Sequence, residues 1–242
     1  MNSTKESPHA LRANRNTARI VGVLFIIGTV AGILSLVFTG SILSDPNYLI
    51  KVSANENQII MGALFVLTMG FSLAMMSVML FPIFRKYNEV LALGAVVFRG
   101  ALEAVIYIAV VISWLFLLTV SQEYVKAGAP DASHLQTLGA LLLKASDQID
   151  SILRIVFSLG ALMIYYLFYQ SNLIPRWLSV WGLIGAILYL ASGLFAMFSV
   201  DFGILMAPLA LQEMVLAVWL IVKGFNSSSV NFRPVEVAIS QA

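Results

Sequence analysis

Arg99 and Glu103 are the only charged residues in the stretch Val90 to Val120, and they lie one helical turn apart. Side chains at i and i+4 meet on one helix face, so this guanidinium and carboxylate can pair, exchange a proton or hold a polar ligand. Glu213, preceded by Gln212, is the only charge between Gly203 and Val222. A third segment carries Asp147, Asp150 and Arg154 at spacing i, i+3 and i+7, which places all three on one face with Arg154 the deepest. Counted at 1.5 Å per residue from the expected inner ends of their helices, Arg99 and Glu213 reach roughly 14 to 15 Å, and Glu103 and Arg154 roughly 20 to 22 Å. Each unpaired charge at that depth costs about 2.5 to 3.5 kcal/mol on insertion. Partners of opposite sign at equal depth are therefore expected: Arg99 with Glu213, and Glu103 with Arg154.

Such a cluster has two readings. It is a buried polar pathway or ligand site, or it is a set of ion pairs that fixes which helices pack together. Two guanidinium groups at mid-depth suit recognition of an anion or carboxylate. Asp147 and Asp150 form an outer acidic rim that attracts a cation or is simply solvated.

The inventory closes other routes. Cysteine is absent, so disulfides and thiolate metal sites are excluded. The two histidines, His9 and His134, fall outside the apolar stretches, leaving no pair for a haem and no H-E-x-x-H site. No Gly-rich phosphate loop occurs. We expect no metal and no cofactor, and a net charge of +2 gives no reason to expect nucleic acid. Met61, Met69, Met75, Met76 and Met79 read as adaptable packing. Gly28 and Gly32, as G-x-x-x-G, read as a close approach between helices within the chain.

The elements that must hold these charges follow from composition. The chain has 242 residues, 60% hydrophobic and 11% charged, with a mean hydropathy of +0.92, too little polar surface for a water-soluble globule. A crossing needs roughly 20 apolar residues. Six stretches qualify: Ile20 to Leu43, Ile59 to Phe81, Val90 to Val120, Ser151 to Tyr169, Leu178 to Phe198 and Ile204 to Val222. Their continuous rather than alternating hydrophobicity excludes a β-barrel, and lipid forces each to satisfy its own backbone, which makes it a helix. The expected fold is an all-α polytopic bundle of six transmembrane helices over residues 20–222, between an amino-terminal segment, 1–19, and a carboxy-terminal tail, 223–242. Lys5, Arg12, Arg15, Arg19, Arg85, Lys86, Arg176, Lys223 and Arg233 fall on one side, against Lys51, Lys126 and Lys144 on the other, so the positive-inside rule puts both termini in the cytoplasm. Spans three and four are expected to form a long hairpin whose outer part, Ser121 to Gln148, is amphipathic. The segment Asp45 to Gln58 is expected to be a loop opened by a turn at Asp45-Pro46-Asn47.

Two motifs carry a resemblance. The run Phe81-Pro82-Ile83-Phe84-Arg85-Lys86-Tyr87-Asn88-Glu89, followed by Phe98-Arg99 and Glu103, and the run Leu173-Ile174-Pro175-Arg176-Trp177-Leu178-Ser179-Val180-Trp181-Gly182, resemble a family of bacterial membrane proteins catalogued as a domain of unknown function. The likeness extends from about Ala18 to Phe198. It implies a bacterial cytoplasmic membrane and about six helices, and brings no activity with it. The reading favoured by the residues is a small transporter, channel-like or sensor protein that handles a proton, ion or small polar solute at Arg99, Glu103, Arg154, Gln212 and Glu213, with the lipid bilayer as surroundings. The alternatives are a membrane-embedded enzyme acting on a lipid through Glu103, Asp147 or Asp150, and a partner or resistance protein that binds through its outer hairpin.

Overall fold

A computed structural model describes residues 8–128 and 132–226, with side chains from residue 14 onward. All regular structure among these residues is helical: α1 (Pro8–Leu43), α2 (Tyr48–Ala54), α3 (Glu56–Phe84), α4 (Glu89–Ala95), a π-helical turn (Val96–Leu102), α5 (Glu103–Ala127), α6 (Ser133–Ser171), α7 (Arg176–Met197), a 3-10 turn (Gly203–Met206) and α8 (Ala207–Val222). Six helical stretches are long and apolar enough to cross a membrane: Asn14–Leu43, Glu56–Phe84, Glu89–Ala127, Ser133–Ser171, Arg176–Met197 and Gly203–Val222. The chain is thus a multi-pass helical membrane bundle. Leu36, Val37, Phe198 and Ile204 stay largely exposed on its outside, surface that lipid tails cover without the penalty it would carry in water.

Each span packs on the next in order, and α8 returns against α1, so the six spans close into a ring. Small residues set the close approaches. Leu73 and Met69 of α3 lie over Gly28 and Gly32 of α1, as internal packing requires, and Gly22 meets the backbone of Ala217 on α8. Gly224, at φ +73°, turns the chain after α8 back against Arg15 and Ala18 of α1, which puts the starts and ends of the described chain at one end of the bundle. We call this the termini end, and the opposite one the hairpin end. Most buried span hydroxyls are satisfied within their own helix, as with Ser121 on the Leu117 carbonyl at 2.7 Å and Ser158 on that of Arg154 at 2.6 Å.

The third and fourth spans run 39 residues each, about 58 Å at 1.5 Å per residue, twice a bilayer core. They form the expected hairpin, and its excess length builds a second core. Ile42, Leu49, Val52, Ile59, Leu117 and Leu118 are buried together there, against Tyr124, Leu142 and Leu143. This corrects the expected loop from Asp45 to Gln58. The turn is present, with the Asn47 amide donating to Asp45 Oδ1 at 2.8 Å, but α2 follows it. Leu49 and Val52, spaced i and i+3, give α2 the apolar face that docks on α5. The expected turn Ala127-Gly128-Ala129-Pro130 lies only partly within the described residues, which leave out 129–131.

Candidate functional site

Asn88 opens the third span by accepting the Leu91 amide on its side-chain oxygen at 3.0 Å, an N-cap in extended backbone. About two helical turns further, the α-helix gives way to the π-helical turn Val96–Leu102. A π-turn holds an extra residue and shifts all that follows by about 100° around the axis. Arg99 and Gly100 inside it, and Glu103 directly after it, are buried in the ring.

Arg99 is 1% exposed and engaged on several sides. Its Nη1 donates to Glu103 Oε1 and its Nη2 donates to Glu213 Oε1 at 3.1 Å. The guanidinium carbon lies 4.1 Å from the ring centre of Phe157 on α6, a cation–π contact. Gly160, one turn along α6 from Phe157, makes this possible. A Cβ there would stand 2.7 Å from both Cβ and the backbone nitrogen of Arg99, so only a glycine lets α6 lie directly on the π-turn. Glu103 is equally buried, and its Oε2 accepts no hydrogen bond. Tyr107, the next turn of α5, interacts with Glu103 and Arg99. Glu213 keeps 13% of its side chain exposed. With Arg99, Tyr107, Phe157 and Tyr189 it borders a cavity of about 140 Å³ that reaches Gly28 and Thr29 of α1.

The pairing Arg99 to Glu213 is therefore present, and Glu103 joins it. The expected pair of Glu103 with Arg154 is not formed. Cα–Cβ bonds lean toward a helix's amino terminus. Glu103 on α5 leans back toward Arg99, whereas Arg154, on the antiparallel α6, leans toward the hairpin end. Arg154 Nε donates to Asp150 Oδ2 at 2.8 Å, and Nη1 to Asp201 Oδ1 at 3.2 Å. Depth counted on Cα positions missed this direction. The two guanidinium groups therefore do not flank one anion site, and Arg99 is already held by two carboxylates.

Asp150 is half-exposed and Asp147 is exposed, one turn nearer the hairpin end. Gln212 is fully buried but is not bonded to the charged group. Its Nε2 donates to the Leu178 carbonyl of α7 at 3.0 Å, and its Oε1 accepts nothing. Several contributors escaped the sequence reading. Asp201 sits in a connection, and its signal was an acid at the same end as Asp150. Phe157, Tyr189 and Gly160 look like ordinary span residues until the helices are assembled. Among the described residues, no three His, Asp or Glu side chains gather as a metal site would need.

No curated protein and no solved structure matches the chain. A family model described as a domain of unknown function, DUF4386, matches residues 20–224, which takes in most of the first span, all of the other five and every residue of the charged group. With six apolar helices around a buried Arg99, Glu103 and Glu213, the chain belongs to the DUF4386 family of membrane proteins.

Proposed function

We propose that this protein is a small transporter, channel-like or sensor protein of the bacterial cytoplasmic membrane, with both termini in the cytoplasm, and that it takes up and releases a small cation, proton included, at Arg99, Glu103 and Glu213. The observation that carries the reading is a charge imbalance: two carboxylates share one guanidinium inside the ring. A surplus negative charge in that setting is costly, and a mobile positive charge offsets it. Glu213 borders the cavity whereas Glu103 is sealed, which makes Glu213 the exchanging acid and Glu103 the fixed partner that positions Arg99. The balance of basic residues supports the orientation, and residues 20–222 act as one transmembrane unit.

A ligand that binds only the folded state raises its stability. The midpoint of unfolding in detergent is therefore expected to respond to pH, or to sodium or potassium at constant ionic strength, in the wild type. Glu213→Gln is expected to remove that response. If the two proteins respond identically to all three, the reading fails.

A further inference from the structure

Polar groups continue from the charged cluster toward both ends of the bundle. Toward the hairpin end, Tyr189 of α7 packs on Phe157 with ring centres 4.6 Å apart and borders the cavity beside Glu213. Tyr189 interacts electrostatically with Glu213 and Arg99 on one side and with Asp150 and Arg154 on the other. One turn beyond it, Gly193 lets Arg154 lie against α7, and Arg154 ends on Asp201, which is 71% exposed. Toward the termini end, Tyr165 of α6 packs on Gly182 of α7 and interacts with Glu213 and Arg99. Its hydroxyl is buried without a hydrogen-bond partner. Ser179, three residues before Gly182 on the same face, is fully buried and, unlike Ser121 or Ser158, bonds to no carbonyl of its own helix. Gln212 Oε1 and, two turns further along α8, Trp219 Nε1 are buried without partners as well.

Buried polar atoms are nearly always hydrogen-bonded, to protein or to water. Four unsatisfied atoms on α6, α7 and α8 suit ordered water as their partner. From Asp150 to Tyr165 along α6 the polar groups cover about 22 Å, most of a bilayer core of about 30 Å.

Resting on the cation-exchange reading above, we infer that the exchanged cation is a proton and that Glu213 is the midpoint of a two-ended, water-assisted proton path between α6, α7 and α8. Hydronium arriving past Asp201, Asp150 and Tyr189 gives its proton to the Glu213 oxygen that Arg99 does not hold, leaving water and a neutral acid. The acid gives the proton to a water held by Tyr165, Ser179 and Gln212, which restores the carboxylate and forms hydronium on the other side. The groups facing Glu213 are Arg99, Glu103 and Tyr107 from the third span, Tyr165 from α6 and Tyr189 from α7, while α1 and α3 offer Gly28, Thr29, Met69 and Leu73. A calcium ion takes about six to eight oxygen ligands, more than the side chains around this cavity offer.

The test uses the full chain in vesicles loaded with a pH-sensitive dye, under an imposed potassium diffusion potential, together with infrared spectra of the same vesicles. Wild type is expected to pass protons and to show a carboxylic-acid C=O band that shifts in deuterium oxide. Glu213→Gln is expected to lose both. Tyr165→Phe with Ser179→Ala, which leaves every charge in place, is expected to keep the band and drop the flux to that of empty vesicles. Undiminished flux in that double variant overturns the path. A band without flux in wild type also overturns it but leaves cation exchange intact, as does sodium-dependent stability without any band. If Glu213→Gln leaves both the stability response and the band unchanged, the underlying reading falls as well.

Discussion

Replacing Gly160 by alanine tests the contact that brings α6 onto the π-turn. The added Cβ would lie 2.7 Å from Arg99 Cβ and 3.0 Å from its Cα, where carbon atoms settle at about 3.5 to 4.0 Å. Either α6 retreats by roughly 1 Å or the turn does, and overpacking of this kind costs about 1 to 3 kcal/mol. The neighbouring Gly100 is the control. A Cβ there meets Ser77 Cβ at 3.7 Å and the Ala74 carbonyl at 3.8 Å, ordinary contact. Both substitutions gain helix propensity of about 1 kcal/mol over glycine, so the gain largely cancels between them and the clash remains. In mixed micelles titrated with a denaturing detergent and followed by tryptophan fluorescence, Gly160→Ala should be less stable than Gly100→Ala by about 1 to 3 kcal/mol, a factor of about 5 to 150 in the folding equilibrium. Equal midpoints for the two variants would show that α6 does not rest on the Arg99 backbone, and the geometry of the site would have to be abandoned.

Arg99→Met should destabilise far more than Arg154→Met. The first strands two interior carboxylates, a loss of about 3 to 5 kcal/mol. The second breaks rim pairs with two acids, the half-exposed Asp150 and the exposed Asp201, and such pairs are worth about 0 to 1 kcal/mol each. The same titration reads both, and similar losses would contradict the assignment of one as interior and the other as rim. At the turn before α2, Lys51 bonds to Asp45 at 2.6 Å and, with the Asn47 amide, holds the Asp45 carboxyl below its ordinary range. A lowered folded-state value means that the contribution is complete above the ordinary carboxylate range and is lost as pH falls through the lowered value. Protection of the Asn47 amide from hydrogen exchange, taken relative to the intrinsic rate at each pH, should therefore hold as pH drops past the ordinary range and fall only below it. Protection lost within that range would show that the Lys51 contact is not formed.

The spans were legible because lipid leaves the sequence little freedom. Backbone groups without water must bond internally, so continuous apolar runs such as Trp177 to Met197 can only be helices. Depth arithmetic found Arg99 and Glu213 because both sit on Cα positions at one level and face the ring. It failed for Glu103 and Arg154 because the lean of a side chain depends on helix direction, and the two run antiparallel. The π-turn has no residue pattern of its own, since Val96 to Leu102 would fit an α-helix equally well. α2 was hidden by its length of seven residues and by Lys51 within it. The unsatisfied polar atoms of Tyr165, Ser179 and Gln212 are a property of assembled helices, invisible until Ser179 is seen to differ from its bonded counterparts.

Arg99 and Glu213, 114 residues apart, act as one unit inside the ring. A double-mutant cycle with Arg99→Gln, Glu213→Gln and the combined variant, read by unfolding in mixed micelles, measures this directly. The double variant is expected to lose less than the sum of the single losses, by about 1 kcal/mol or more. Losses that add to within about 0.3 to 0.5 kcal/mol would mean that the two side chains do not meet, and the candidate site would have no centre.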